Sequence, residues 1–116
     1  MLVTVRNVEN ACIVDVAGSV TIDSALKLKD AVLAAMETGP LGCVVNMKNV
    51  TILDSSGIGT LISLNARLAR NGLAFRVANV PHTIMQVLEL TQALSILPTE
   101  PTVLGALCAF GMAAKA

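Results

Sequence analysis

The chain has no tryptophan and no tyrosine, and only two of its 116 residues are phenylalanine. Charged residues make up 14% of the sequence, where about 25% is usual, and eight basic residues balance eight acidic ones. Proteins that bind nucleic acids need a basic surface and often use aromatic side chains to stack on bases. The composition therefore argues against nucleic acid as a partner.

Residues that bind metals or form disulfides are also scarce. His82 is the only histidine, and the three cysteines Cys12, Cys43 and Cys108 are widely spaced, each in an apolar context. Three scattered cysteines lack the spacing of a metal site, and their odd number does not suit a disulfide framework. We expect buried, reduced thiols in a cytoplasmic protein, with no metal and no other cofactor.

Motifs for catalysis and for membrane insertion are missing as well. The sequence has no Gly-x-Ser-x-Gly elbow and no Gly-Lys-Ser/Thr phosphate loop, and Gly57-Ile58-Gly59 lacks the third glycine of a dinucleotide loop. No apolar run reaches the ~20 residues that span a bilayer. The first residues do not form the basic and apolar regions of a signal peptide. The predictions are no enzymatic activity, no catalytic residues and no membrane insertion.

Hydrophobic residues are abundant. They make up 54% of the sequence, above the usual value of about 45–50%. A chain of this length suits one domain, here residues 1–116, that buries roughly two-thirds of its unfolded surface. Part of the remaining apolar surface is expected to contact a protein partner, and homo-oligomerisation stays open.

Periodicity predicts the order of helices and strands. Alternating apolar residues at 2–8, a turn at Glu9-Asn10 and a second strand-like run at 11–17 predict an N-terminal β-hairpin. The remaining patterns predict a helix from Asp23 or Ser24 to about residue 37, strands at 42–47, 73–78 and 95–97, and helices at 60–70, 81–90 and 101–110, the last capped by Thr99. This order predicts an α/β fold with a mixed, mostly parallel five-stranded sheet and about four helices.

One motif, Asp54-Ser55-Ser56-Gly57-Ile58-Gly59, separates the third predicted strand from the helix that follows it. It therefore lies at a helix start, where unpaired backbone N–H groups and the helix dipole favour negative charge. A serine at this position suits two roles, as the N-cap of the helix or as the acceptor of a phosphate. The local sequence leaves both roles open.

Residues 50–59 resemble the signature of the anti-sigma-factor antagonist family, whose fold is the STAS domain. The resemblance extends over most of the chain, because Gly18-Ser19-Val20 is similar to the end of the second strand of that fold. Asn79-Val80-Pro81 is likewise similar to its turn into the third helix. The resemblance implies that Ser55, directly after the aspartate of the motif, is the phosphorylation site.

The resemblance also implies a function. The unphosphorylated protein would bind an anti-sigma factor that is also a serine kinase, and so release a sigma factor. Phosphorylation of Ser55 would end the contact, and a serine phosphatase would restore it. The expected partner-binding residues are Thr21, Asp23, Asp54, Ser55, Ser56, Gly57, Ile58 and Gly59. Two positions depart from the family, because Asn46 and Thr21 stand where acidic residues linked to kinase recognition or nucleotide contacts are common.

Other interpretations remain beside this one. The chain can be a STAS scaffold subunit of a larger signalling assembly, or a module that binds a small ligand or anion at the same turn. Gly57 and Gly59 either let a partner's backbone approach or let the turn pack against the sheet. Leu26 and Leu33 form either a partner-facing patch or the wide apolar face of a buried helix.

Overall fold

A five-stranded sheet forms the centre of the protein, in a computed structural model that describes residues 1–110. Strand β1 (Leu2–Val8) pairs antiparallel with β2 (Ala11–Val20). Three parallel strands follow in chain order, namely β3 (Gly42–Leu53), β4 (Ala74–Ala78) and β5 (Thr99–Glu100). The predicted hairpin and mixed, mostly parallel sheet are confirmed.

Three helices connect the parallel strands and lie together on one face of the sheet. They are α1 (Ala25–Met36), α2 (Ser55–Arg70) and α3 (His82–Leu90). Their buried residues belong to the same apolar cluster, whereas α4 (Val103–Ala109) packs against a smaller cluster on the opposite face. The common side follows from the strand order, because consecutive parallel strands joined by right-handed crossovers place every helix on the same face.

Both faces of β2 are buried over residues 11–14, which explains the continuous apolar run at its start. Cys12 and Val14 point into the larger cluster, and Ala11 and Ile13 point into the smaller one with Ala106. Successive side chains of a strand alternate between faces, and a strand covered on both sides needs no polar residues between the apolar ones.

The central strands are longer than predicted. Strand β2 continues through Gly18. This glycine has a φ of +91° and lies beside shifts in the register with β3, so it bends the strand at a bulge and does not end it. Strand β3 continues to Leu53 because Val50 and Leu53 keep packing into the larger cluster. The two strands together carry the chain directly to the motif at Asp54.

Two predictions after α3 were wrong, namely the strand at 95–97 and the cap of the last helix. Residues 93–95 form a short 3₁₀ turn, and the last strand comes later and has only two residues. Ala93 and Leu97 are buried four residues apart, a helical spacing, whereas the predicted strand at 95–97 was based on the short apolar run alone. The cap of α4 is Thr102, whose Oγ1 accepts a hydrogen bond from the Gly105 N–H at 2.9 Å, and not Thr99. Residues 111–114, within the predicted terminal apolar segment, lie outside the described residues.

The cysteines differ in environment, so the prediction of three buried thiols was wrong for one of them. Cys12 and Cys43 are register neighbours on β2 and β3 and are fully buried, but Cys108 lies on the exposed side of α4. The Cys12 Sγ contacts the Met36 Sδ at 3.6 Å. The hydrogen bond with Cys12 and burial both raise the pKa of Cys43, which keeps this thiol neutral as a packing group.

A row of polar side chains crosses the sheet on the α4 side. Arg6 donates from Nε to Asp15 Oδ2 at 2.8 Å, and Asn46 donates from Nδ2 to Asp15 Oδ1 at 2.7 Å. Asn79, in the left-handed conformation after β4, donates from Nδ2 to Asn46 Oδ1 at 3.0 Å. The hydrogen bond from Arg6, helped by that from Asn46, holds the pKa of Asp15 below its usual value. The row joins β1, β2, β3 and the loop after β4.

This row predicts acid-sensitive stability. Because the pKa of Asp15 is lowered on folding, its contribution is present above the unfolded value of about 3.9 and is lost as pH falls through the folded value. We expect Asp15→Asn to lower stability near pH 7 by up to about 1 kcal/mol, as for other exposed ion pairs. The difference from wild type should shrink as the pH falls below the unfolded value of about 3.9 and through the lowered folded value, because Asp15 is then protonated in both the folded and the unfolded state.

Thermal unfolding across this pH range measures the effect. Asp30→Asn is the matched control, because Asp30 is an exposed carboxylate on α1 without a hydrogen bond to any of residues 1–110. A difference between Asp15→Asn and wild type that stays constant with pH would contradict the prediction.

Candidate functional site

The first turn of α2 is capped by Asp54. This residue has an extended conformation, and its Oδ1 accepts a hydrogen bond from the Gly57 N–H at 3.0 Å. Its backbone carbonyl accepts the Ile58 N–H at 3.0 Å. The aspartate therefore fills the N-cap role that the sequence left open to Ser55 or Ser56.

The second carboxylate oxygen of Asp54 reaches a different part of the chain. Asp54 Oδ2 accepts the Ile22 N–H at 3.1 Å, and the Asp54 N–H donates to the Val20 carbonyl at 3.2 Å. These bonds hold the loop between β2 and α1 against the start of α2. The predicted residues Thr21 and Asp23 are thereby brought beside the motif, although they lie about thirty positions earlier in the sequence.

Ser55 is the first residue of α2, and its side chain is exposed. The hydroxyl forms no hydrogen bond with the described part of the chain, whereas Ser56 is half-buried. The N–H groups of Ser55 and Ser56 precede the first intrahelical donor and have no backbone acceptor within residues 1–110. An accessible hydroxyl thus lies at the positive end of a 16-residue helix.

The glycines of the motif have opposite environments. A Cβ on Gly57 would lie 2.5 Å from Leu53 Cδ1 and 2.7 Å from the Val20 carbonyl oxygen, whereas one on Gly59 would meet nothing within 4 Å. Gly57 therefore allows the turn to pack against β2 and β3. Ile58 is only 7% exposed and belongs to the core. Of the predicted partner-binding residues, Gly57 and Ile58 are therefore the least accessible to a partner.

The loop before α1 is fixed by its own hydrogen bonds. Ser24 occupies the N-cap position, but its Oγ donates to the Ser19 carbonyl at 2.8 Å and accepts the Thr21 N–H at 3.0 Å. The side chain therefore closes the loop and does not cap the helix. Thr21 is partly buried in this loop, and Asp23 is exposed at its tip.

Ile22 was not among the predicted partner-binding residues, although it is 75% exposed beside Asp54. Leu26 is also exposed, in the first turn of α1, but Leu33 packs against the core, so the predicted patch of Leu26 and Leu33 is divided. The sequence does contain a signal for an exposed apolar residue here. Ile22 stands between Thr21 and Asp23, outside the periodic positions of any predicted strand or helix.

Beyond the Ser55 hydroxyl, the described residues offer few groups that could bind a metal or take part in a reaction. No three His, Cys, Asp or Glu side chains among residues 1–110 approach closely enough to hold a metal ion. No helix in that part of the chain combines the length and the hydropathy needed to cross a membrane. Because α1, α2 and α3 share one face, the sheet of residues 1–110 also lacks the reversal of strand order at which open α/β sheets bind nucleotides.

The chain as a whole matches a known protein family. The model of the STAS domain matches residues 3–106. The chain belongs to the STAS family. The family fold agrees with the five-stranded mixed sheet, the four helices and the N-terminal hairpin described above. A comparison with curated protein sequences gave no significant match.

Several solved STAS structures are similar along almost their whole length. The anti-sigma factor antagonist SpoIIAA in its unphosphorylated form has a TM-score of 0.76 and 13% identity, covering 95% of this chain and 97% of its own. An anti-sigma factor antagonist from Mycobacterium paratuberculosis has a TM-score of 0.78 and 23% identity, covering 93% and 92%. A sulfate transporter family protein from Wolinella succinogenes has a TM-score of 0.75 and 16% identity, covering 92% and 89%. At these identities the likeness shows the shared fold alone.

The packing of the turn predicts opposite effects for its two glycines. Gly57→Ala should destabilise the protein by roughly 1–3 kcal/mol, because the new methyl group overpacks against Leu53 and Val20. Gly59→Ala should stabilise it by about 0.5–1 kcal/mol, since alanine is the better helix former and the space is open.

Denaturant unfolding of the two variants and the wild type tests this directly. Each variant adds one methyl group to the same helix, so each serves as the control for the other. Equal shifts of the two midpoints would show that Gly57 is not confined by the sheet.

Proposed function

We propose that this STAS domain is a cytoplasmic anti-sigma-factor antagonist that is switched off by phosphorylation of Ser55. In this proposal the unphosphorylated form binds an anti-sigma factor that is also a serine kinase, and a sigma factor is released. The kinase phosphorylates Ser55 and ends the contact, and a serine phosphatase removes the phosphate. The chain is then a ligand and a substrate in the cycle, and not an enzyme.

The observation that carries the proposal is the free, exposed hydroxyl of Ser55 at the start of α2. Asp54 supplies the cap, so Ser55 is not needed to satisfy the backbone of the first turn. A kinase can therefore modify the hydroxyl without breaking a hydrogen bond of the fold. The likeness to SpoIIAA, which is known in unphosphorylated and phosphorylated forms, supports this role.

A phosphate at Ser55 adds about −1.5 to −2 charges and three acceptor oxygens. The unpaired N–H groups and the positive end of α2 favour this charge within the domain. A partner that covers the neutral serine would instead have to bury an unpaired dianion, which costs several kcal/mol. The same modification is thus tolerated by the fold and incompatible with the complex.

The proposed partner surface consists of the two loops that Asp54 joins. Its exposed or half-exposed members are Thr21, Ile22, Asp23, Asp54, Ser55, Ser56 and Gly59. Gly57 and Ile58 support this surface from beneath. Asn46 is not acidic and binds Asp15 and Asn79, and both carboxylate oxygens of Asp54 accept backbone N–H groups. Asp23 is therefore the exposed acidic residue that this surface offers to a kinase.

Phosphate mapping tests the proposed acceptor. Incubation with the cognate anti-sigma factor kinase and ATP should place one phosphate on Ser55, because its hydroxyl is the exposed one at the helix start. Ser55→Ala should lose this label, and Ser56→Ala should keep it, as mass spectrometry of the peptides would show. Label at the wild-type level in Ser55→Ala would refute the assignment.

Binding measurements test the proposed interface. Ser55→Ala should keep the affinity for the anti-sigma factor within about tenfold, or ~1.4 kcal/mol. The reason is that removal of the neutral hydroxyl from the covered surface costs little binding free energy. Ser55→Asp should weaken binding by far more than tenfold, because it buries an unpaired carboxylate. Isothermal titration calorimetry gives both values.

Ser63→Asp provides the matched control, because Ser63 is an exposed serine two turns further along α2. It should bind like the wild type. If Ser55→Asp also bound like the wild type, the turn would lie outside the interface, and the interpretation as a scaffold subunit would take precedence.

A further inference from the structure

Strand β1 forms an open edge of the sheet. It has seven residues, and within residues 1–110 only β2 pairs with it. Natural edge strands are usually protected by lysine, proline or a bulge, which prevent pairing with another chain. Strand β1 contains none of these, pairs with β2 in unbroken register, and carries a single charged residue, Arg6.

We propose that two copies of this chain pair antiparallel through β1, with the two-fold axis at Val5, and form one continuous sheet. In this register Val5 faces Val5 of the second copy, Thr4 faces Arg6, and Leu2 faces Val8. All seven residues of the strand are used. An axis perpendicular to the sheet keeps the α1 to α3 layers of both copies on the same side.

The charged residues on the α4 face of the sheet are compatible with this register. Arg6 of each copy binds Asp15 of its own copy, with Nε 2.8 Å from Oδ2, so each copy brings a charge that is already paired. Across the interface Arg6 lies opposite Thr4 of the second copy, and no like charges lie directly opposite each other.

The apolar residues are complementary as well. Leu2 is 65% exposed and Val5 is 47% exposed in the single copy. Pairing places Leu2 beside Val8 and Val5 beside its own symmetry mate, and apolar cross-strand pairs of this kind stabilise sheets. A shift that centres the axis on Arg6 would instead set two arginines opposite each other. The register centred on Val5 avoids this contact and pairs the whole of β1.

Charge substitution at the axis tests the proposal. Val5→Lys and Val5→Glu each place like charges opposite each other, so each variant should raise the dimer dissociation constant at least tenfold relative to wild type. An equimolar mixture of the two should recover the dimer, because Lys then faces Glu. Sedimentation equilibrium measures the association, and circular dichroism establishes that each variant is folded.

Leu90→Lys is the control, because Leu90 is exposed on α3 and plays no part in the proposed interface. It should dimerise like the wild type. Hydrogen exchange on the wild type gives a second measurement, since amides of residues 2–8 should exchange more slowly as the protein concentration rises.

Three results would overturn the inference. They are a wild type that stays monomeric up to its solubility limit, a Val5→Lys variant that dimerises as tightly as wild type, and a mixture of the two variants that stays monomeric. The test does not involve Ser55, so its outcome is independent of the proposed phosphorylation switch.

Discussion

The carboxylate of Asp54 joins parts of the chain that are far apart in sequence. One oxygen caps α2 through the Gly57 N–H, and the other holds the Ile22 N–H of the loop before α1. Substituting an N-cap aspartate by alanine costs about 1 kcal/mol in typical proteins. Here the same side chain also fixes the relative position of two loops. The shape of the candidate surface depends on this one group.

Because Asp54 satisfies the helix start, the neighbouring residues are free for different tasks. Gly57 brings the turn into contact with Val20 and Leu53, so the first turn is held firmly by the sheet. Ser55 remains unbonded on the outside. A rigid turn with one free hydroxyl is well suited to carry a charge change without altering the fold, because the backbone around it is fixed by other interactions.

Much of this could be predicted from sequence, and the failures have physical reasons. The alternation of residues 2–8 predicted a strand and the periodicity after Ser24 predicted a helix, and the structure confirms β1 and α1. Strand β5 has two residues, too few for any periodicity to be visible. Aspartate and serine are about equally good N-caps, so the local sequence did not distinguish them. The bond to Ile22 spans 32 positions and is not encoded in any local pattern.

The strand order has a consequence for how the protein is made. Every pair of neighbouring strands in the sheet is also consecutive in the chain, so each new strand pairs with the one before it across a single turn or a single helical crossover. The sheet can therefore grow from its N-terminus during synthesis, one strand and helix at a time. The hairpin of β1 and β2 is complete first, and the two-residue strand at the opposite edge joins a sheet that is already formed.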